Sequence, residues 1–136
     1  MNYEERVAYV EALMYIATID EKVEEKELEY FSQVIQMYGI ASDEIEAIKK
    51  SILSKEKTLE EILAPISNRK IKLALVYELL ALCYVDGSYD FIEKNGMMKI
   101  CNILGIEESK LRELENVILE NIELQKKINI ILERIV

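Results

Sequence analysis

The chain repeats itself at an offset of 66 residues, without a gap. Leu13 returns as Leu79, Asp20 as Asp86, Glu27 as Glu93, Gly39 as Gly105 and Ile40 as Ile106. Ile52-Leu53 returns as Ile118-Leu119. Where identity fails the chemistry is kept: Ile16 with Leu82, Glu24 with Asp90, Val34 with Ile100, Ile45 with Leu111, Ile48 with Leu114. Apolar positions recur readily in any helical chain, because the helical period spaces them regularly. An Asp, a second acid and a Glu set between two apolar stretches, then Gly-Ile, do not recur for that reason. A repeat fixes architecture before any local feature does. The halves fall at about residues 5–53 and 71–119, joined by a linker over 54–70, with a C-terminal helical segment over 107–136.

Composition agrees with helices. Leu, Ile, Glu and Lys dominate, and one Pro and four Gly leave few breakers. A length of 136 residues fits one domain with a sizeable core. The fold expected is all-α. The net charge of −9 argues against nucleic acid and against anionic membrane faces. It suits cations or basic partners, and equally the plain need for solubility. Cys83 and Cys101 lie in apolar helical stretches and read as buried thiols. With no His in the chain they form no zinc set. The start, Met1-Asn2-Tyr3-Glu4-Glu5, lacks the basic and apolar regions of a signal peptide. The longest apolar stretch, Ile71 to Val85, is interrupted by Lys72 and Glu78 and is too short to span a bilayer. A cytoplasmic location without direct membrane insertion is the default expectation.

The apolar spacing predicts a first helix over 3–18, with Val7, Val10, Met14 and Ala17 as a stripe widened by Leu13 and Ile16. A second helix should run to about Tyr38 and end at a left-handed Gly39. Ser42 is the expected N-cap of a third, through about Leu53. Thr58-Leu59-Glu60-Glu61 has capping-box spacing, so a short helix should start there and stop near Pro65. Asn68 should cap a helix carrying Leu73, Val76, Leu79, Leu80 and Cys83, apolar nearly all round and hence central. Asp86-Gly87-Ser88-Tyr89 reads as a turn, and a further helix follows from Asp90 to Gly105. Two offset stripes in the last segment favour a break near Asn121 over one long helix.

Each half thus places an Asp after an apolar helix, an acid four residues on, and a Glu three residues later. The sets are Asp20, Glu24, Glu27 and Asp86, Asp90, Glu93. Two readings compete. Carboxylates gathered at a turn are what a hard cation wants, and oxygen ligands alone select Ca²⁺ or Mg²⁺. But Asp90 and Glu93 also have capping-box spacing, and acids are favoured in any first helical turn. The spacing is not that of an EF-hand.

The pattern of apolar helix, Asp-(Gly/Glu), acid, Glu and amphipathic helix ending at Gly-Ile resembles the tellurite-resistance TerB-like family. The stretches that carry the resemblance are Tyr15-Ile16-Ala17-Thr18-Ile19-Asp20 through Glu27 and Leu82-Cys83-Tyr84-Val85-Asp86-Gly87 through Glu93, each continuing to its Gly-Ile. The resemblance spans about residues 5–120. It implies a helical bundle whose halves are related by a pseudo-twofold axis. It also implies that Asp20, Glu27, Asp86 and Glu93 are the metal-binding positions, with Glu24 and Asp90 as accessories. The first half has Glu21 where the family's pattern has Gly. TerB-like domains resemble modules of stress-response and membrane-associated complexes, and a related domain precedes the J-domain of some co-chaperones. The last helix offers a face for docking on a second copy or on an unidentified protein partner.

Catalysis has little to work with. Without His there is no triad and no His-based general acid or base, and no Gly-rich phosphate loop is present. Carboxylates near Lys22, Lys26 and Lys94 should stay ionised, which suits no general acid. Tyr15, Tyr30, Tyr77 and Tyr84 read as core or core-edge, and Tyr89 as packing across a helix start. The expectation is a binding or scaffold module and not an enzyme. Its acids either hold a divalent cation or only cap helices.

Overall fold

The computed structural model describes residues 1–19, 33, 35–84 and 89–134. Every regular element among them is a helix. In chain order these are α1 (Tyr3–Thr18), α2 (Ser42–Ser54), α3 (Leu59–Leu63), α4 (Arg69–Tyr84), α5 (Phe91–Leu104) and α6 (Glu108–Ile131). The 66-residue offset reappears in the element boundaries: α1 and α4 share both ends at that spacing, and α2 and α6 share their starts. Gly39 and Gly105, equivalent in the repeat, both take left-handed backbone, with φ of 64° and 72°. That region costs a side chain strain and costs glycine little, which is why Gly stands at both helix ends.

Local chemistry explains most boundaries. Asn2 caps α1, accepting from the Glu5 amide at 2.8 Å while Glu5 accepts from the Asn2 amide. The expected capping box at Thr58 and Glu61 forms, with both reciprocal bonds at 3.2 Å. Asn68 Oδ1 accepts from the amides of Lys70 and Ile71. Two expectations need correction. Ser42 is not the N-cap of α2: it is the first helical residue, and Ala41 holds the extended cap position without a side-chain bond. The break expected near Asn121 is absent, and α6 runs unbroken for 24 residues. The first stripe, through Ile118 and Ile122, joins the larger core; the second continues on the same helix and is largely exposed.

The core has two parts. The larger joins α1, α3, α4, α5 and α6 around Tyr9, Leu13, Ile16, Leu63, Leu79 and Leu80. The smaller sets Val10 and Met14 of α1 against Ile35, Ile40 and Ile48. The α4 helix is central, as its sequence demanded. The surprise is α1, buried from Ala8 through Met14 on every side and not along one stripe. Packed against α2, α3 and α4 at once, it has no face left for water. Among the described residues no helix is long and apolar enough to cross a membrane.

Gly96 lets α5 lie close on the end of α1. A Cβ there would sit 2.7 Å from Ile19 Cδ1 and 3.2 Å from Ile16 Cδ1. Alanine needs only the end methyl of Ile19 to turn aside, and it regains about 1 kcal/mol of helix propensity. Gly96→Ala should therefore be close to neutral. Gly96→Leu has nowhere to go and should cost about 1–3 kcal/mol by overpacking. Urea unfolding of both variants checks the pair, and an innocuous leucine would mean the contact is not tight.

Candidate functional site

The second acid triplet is partly in view. Asp90 caps α5 in extended backbone, and its Oδ1 accepts from the Glu93 amide at 2.8 Å. Glu93 returns the bond, Oε1 accepting from the Asp90 amide at 3.2 Å. This is the capping box that the spacing allowed, and it uses one oxygen of each carboxylate. Glu93 is only 4% exposed, so its carboxylate is an integral part of the helix start. Asp20, Glu24, Glu27 and Asp86 lie outside the described residues, as do Gly87 and Tyr30. Among the described residues no three of His, Cys, Asp and Glu gather in a way that could hold a metal ion. Asp90 and Glu93 are therefore the pair brought together; the four other predicted ligands are not placed.

Behind this helix start stands a polar wall that the sequence did not single out. The Tyr89 ring leans on Tyr84, with centroids 5.0 Å apart, and Lys94 Nζ sits 5.4 Å from its centroid. Both rings lie at the edge of the larger core. Burial, reinforced by the nearby Glu115 carboxylate, pushes the Tyr89 hydroxyl far above its ordinary pKa. Glu115 is itself buried on α6, and Arg112 binds it at 2.6 Å while reaching Glu108 at 3.2 Å. Cys101 faces the same group; burial first, then Glu115, raises its thiol to about 11. At neutral pH that thiol is protonated and is not a nucleophile. The wall backs the start of α5.

Two further polar groups sit inside the core. Glu11 on α1 is 3% exposed, and both its oxygens accept from Lys57 Nζ, at 3.2 and 3.1 Å. On the other side Tyr38 donates to Glu78 Oε1 at 3.0 Å. The buried Tyr9 ring stacks at 4.9 Å on Tyr38, and its hydroxyl lies in the field of Glu78 without a well-formed hydrogen bond. The one available signal was a Glu or Tyr at a core-facing position of an otherwise apolar helix. Both cysteines are buried, as expected.

Comparison with protein-family models, with curated proteins and with solved structures finds no match. The functional reading rests on the residues themselves.

Proposed function

We propose that the chain is a TerB-like helical interaction module, its two repeats related by a pseudo-twofold axis, and that Asp90 and Glu93 serve first as helix caps. The observation that carries the capping half of this reading is the reciprocal Asp90–Glu93 box, with a buried Glu93. The interaction half follows from what the side chains offer. The buried carboxylate Glu115 is held by Arg112, and the thiol beside it is neutral, so binding is favoured over turnover. The working surface in this reading is the acidic end where the two turns meet partners, basic ones by charge.

A second reading has its own support. The triplet Asp20, Glu24, Glu27 repeats as Asp86, Asp90, Glu93, and clustered carboxylate oxygens are what a hard cation takes. Ca²⁺ or Mg²⁺ held there would couple partner binding to cation level.

Thermal unfolding of chelator-stripped protein separates the two, because a ligand that binds only the folded state raises the midpoint saturably. Asn caps as well as Asp, and Gln replaces Glu in a capping box. The capping reading expects Asp90→Asn and Glu93→Gln to change stability by a few tenths of a kcal/mol at most. It expects Asp90→Ala to cost about 1 kcal/mol, alike with and without cation. A saturable rise with Ca²⁺ or Mg²⁺ that vanishes in Asp90→Asn would overturn caps alone and establish the cation reading.

A further inference from the structure

Among the described residues, the last third of α6 joins neither core. Ile118 and Ile122 are the last of its residues to join a core, and α6 continues to Ile131. Helical turns without packing are marginal in water, since tertiary contact supplies most of a helix's stability. Yet the outer side of this stretch is apolar. Val117, Leu124 and Ile131, spaced seven apart, are 48%, 55% and 78% exposed. With Asn121 and Ile128 they give the alternating four-three spacing of a coiled-coil seam. A shallow groove bordered by Asn116, Glu120, Leu124 and Lys127 runs along this side.

The charges beside the seam say what covers it. One edge carries Glu113, Glu120 and Lys127, again seven apart, so its signs run minus, minus, plus. All three are exposed. Such an edge is complementary to itself only when a second copy runs the opposite way, which sets Glu120 of each copy against Lys127 of the other. In parallel copies the edge would face the opposite flank, where Ile118 and Gln125 offer no charge. From residue 117 to 134 acids and bases balance, three of each, in a chain whose net charge is −9. That local neutrality removes the repulsion that would otherwise keep two acidic molecules apart.

We infer that α6 of a second copy packs antiparallel along this face, burying Val117, Leu124, Ile128 and Ile131 between the two helices and pairing the oppositely signed halves of the edge. The inference deepens the interaction-module reading by naming this chain as its own partner, at a surface away from the capping box. Its failure shows in oligomeric state, and failure of the capping reading shows in cation-dependent melts, so the two are distinguishable.

Sedimentation equilibrium of the full chain should show a concentration-dependent dimer. Leu124→Glu with Ile131→Glu should yield a monomer that keeps its helical circular dichroism. Glu120→Lys alone should weaken the dimer by about tenfold, since two symmetric attractions become repulsions of ordinary surface-pair size. Adding Lys127→Glu should restore it, because the swapped edge is again self-complementary. Mixing a Glu120→Cys chain with a Lys127→Cys chain should give mixed disulfides in preference to those of either chain alone. A monomer at every concentration overturns the inference. So does a dimer indifferent to Leu124→Glu with Ile131→Glu, as would a protein of another kind seated there, and so do same-site disulfides, which would mean parallel copies.

Discussion

Replacing Lys57 by Met should destabilise the protein by about 2–3 kcal/mol, at or just below the bottom of the range for breaking a fully buried ion pair. The reason is an asymmetry of burial. Glu11 is almost wholly enclosed, while the Lys57 side chain is nearly half-exposed at 45%. Taking the ammonium away leaves a carboxylate inside the larger core's wall with neither of its oxygens bonded, and only partial access for water. For a chain of this size the loss should lower the unfolding midpoint by about 10 °C. The companion variant separates cause from packing. Glu11→Leu with Lys57→Met removes the stranded charge as well and should return to within about 1 kcal/mol of the wild type. A single Lys57→Met variant as stable as wild type would mean the pair contributes nothing. A double variant no better than the single would place the loss in packing.

Alkali should unfold this protein through its tyrosines. Burial, then the neighbouring Tyr38 and Glu78, hold the Tyr9 hydroxyl far above the ordinary tyrosine range. Tyr15, Tyr84 and Tyr89 are raised too, each chiefly by burial. The native state therefore keeps protons that the unfolded chain releases near pH 10. Stability from this source is complete below that pH and falls as pH rises beyond it, because the unfolded state then binds fewer protons. Tyr9 alone should remove about 1.4 kcal/mol per pH unit above about pH 10. Urea midpoints across the alkaline range measure the slope, and the part of the tyrosinate absorbance that belongs to the buried rings should rise with unfolding and not before it. Tyr9→Phe should flatten the slope at little cost near neutrality, since its hydroxyl lacks a well-formed bond. A slope unchanged in that variant would mean other groups govern the alkaline limit.

Both effects depend on residues that the sequence hid. Helix α1 was legible to its ends, because the apolar run 7–17 is a local signal; its Asn2 and Glu5 cap was equally local but was not singled out. Also legible were α3, the Asn68 cap and the Gly105 terminus. Tyr9, Glu11 and Glu78 were not, because each is satisfied or opposed by a group far along the chain. Lys57 is 46 residues from Glu11, and Tyr38 is 40 from Glu78. No periodicity encodes such a meeting. The candidate site divides the same way. The Asp90–Glu93 box follows from a spacing of three, but its backing by Tyr84, Tyr89 and Glu115 depends on how α4 and α6 converge. The break near Asn121 failed as an expectation for a related reason. A change in stripe here marks where the helix leaves the core, and the backbone need not yield for it.

The stretch between the repeats changes how the molecule can be taken apart. It contributes Ile62, Leu63 and Ile66 to the larger core and, through Lys57, a counter-ion to α1. Without it the helices on either side would lack all four. The stretch therefore does more than tether: it is a keystone, and the larger core is incomplete without it. New chain ends should accordingly be tolerated poorly between residues 57 and 66, even though sequence symmetry makes that stretch look like the natural place to cut.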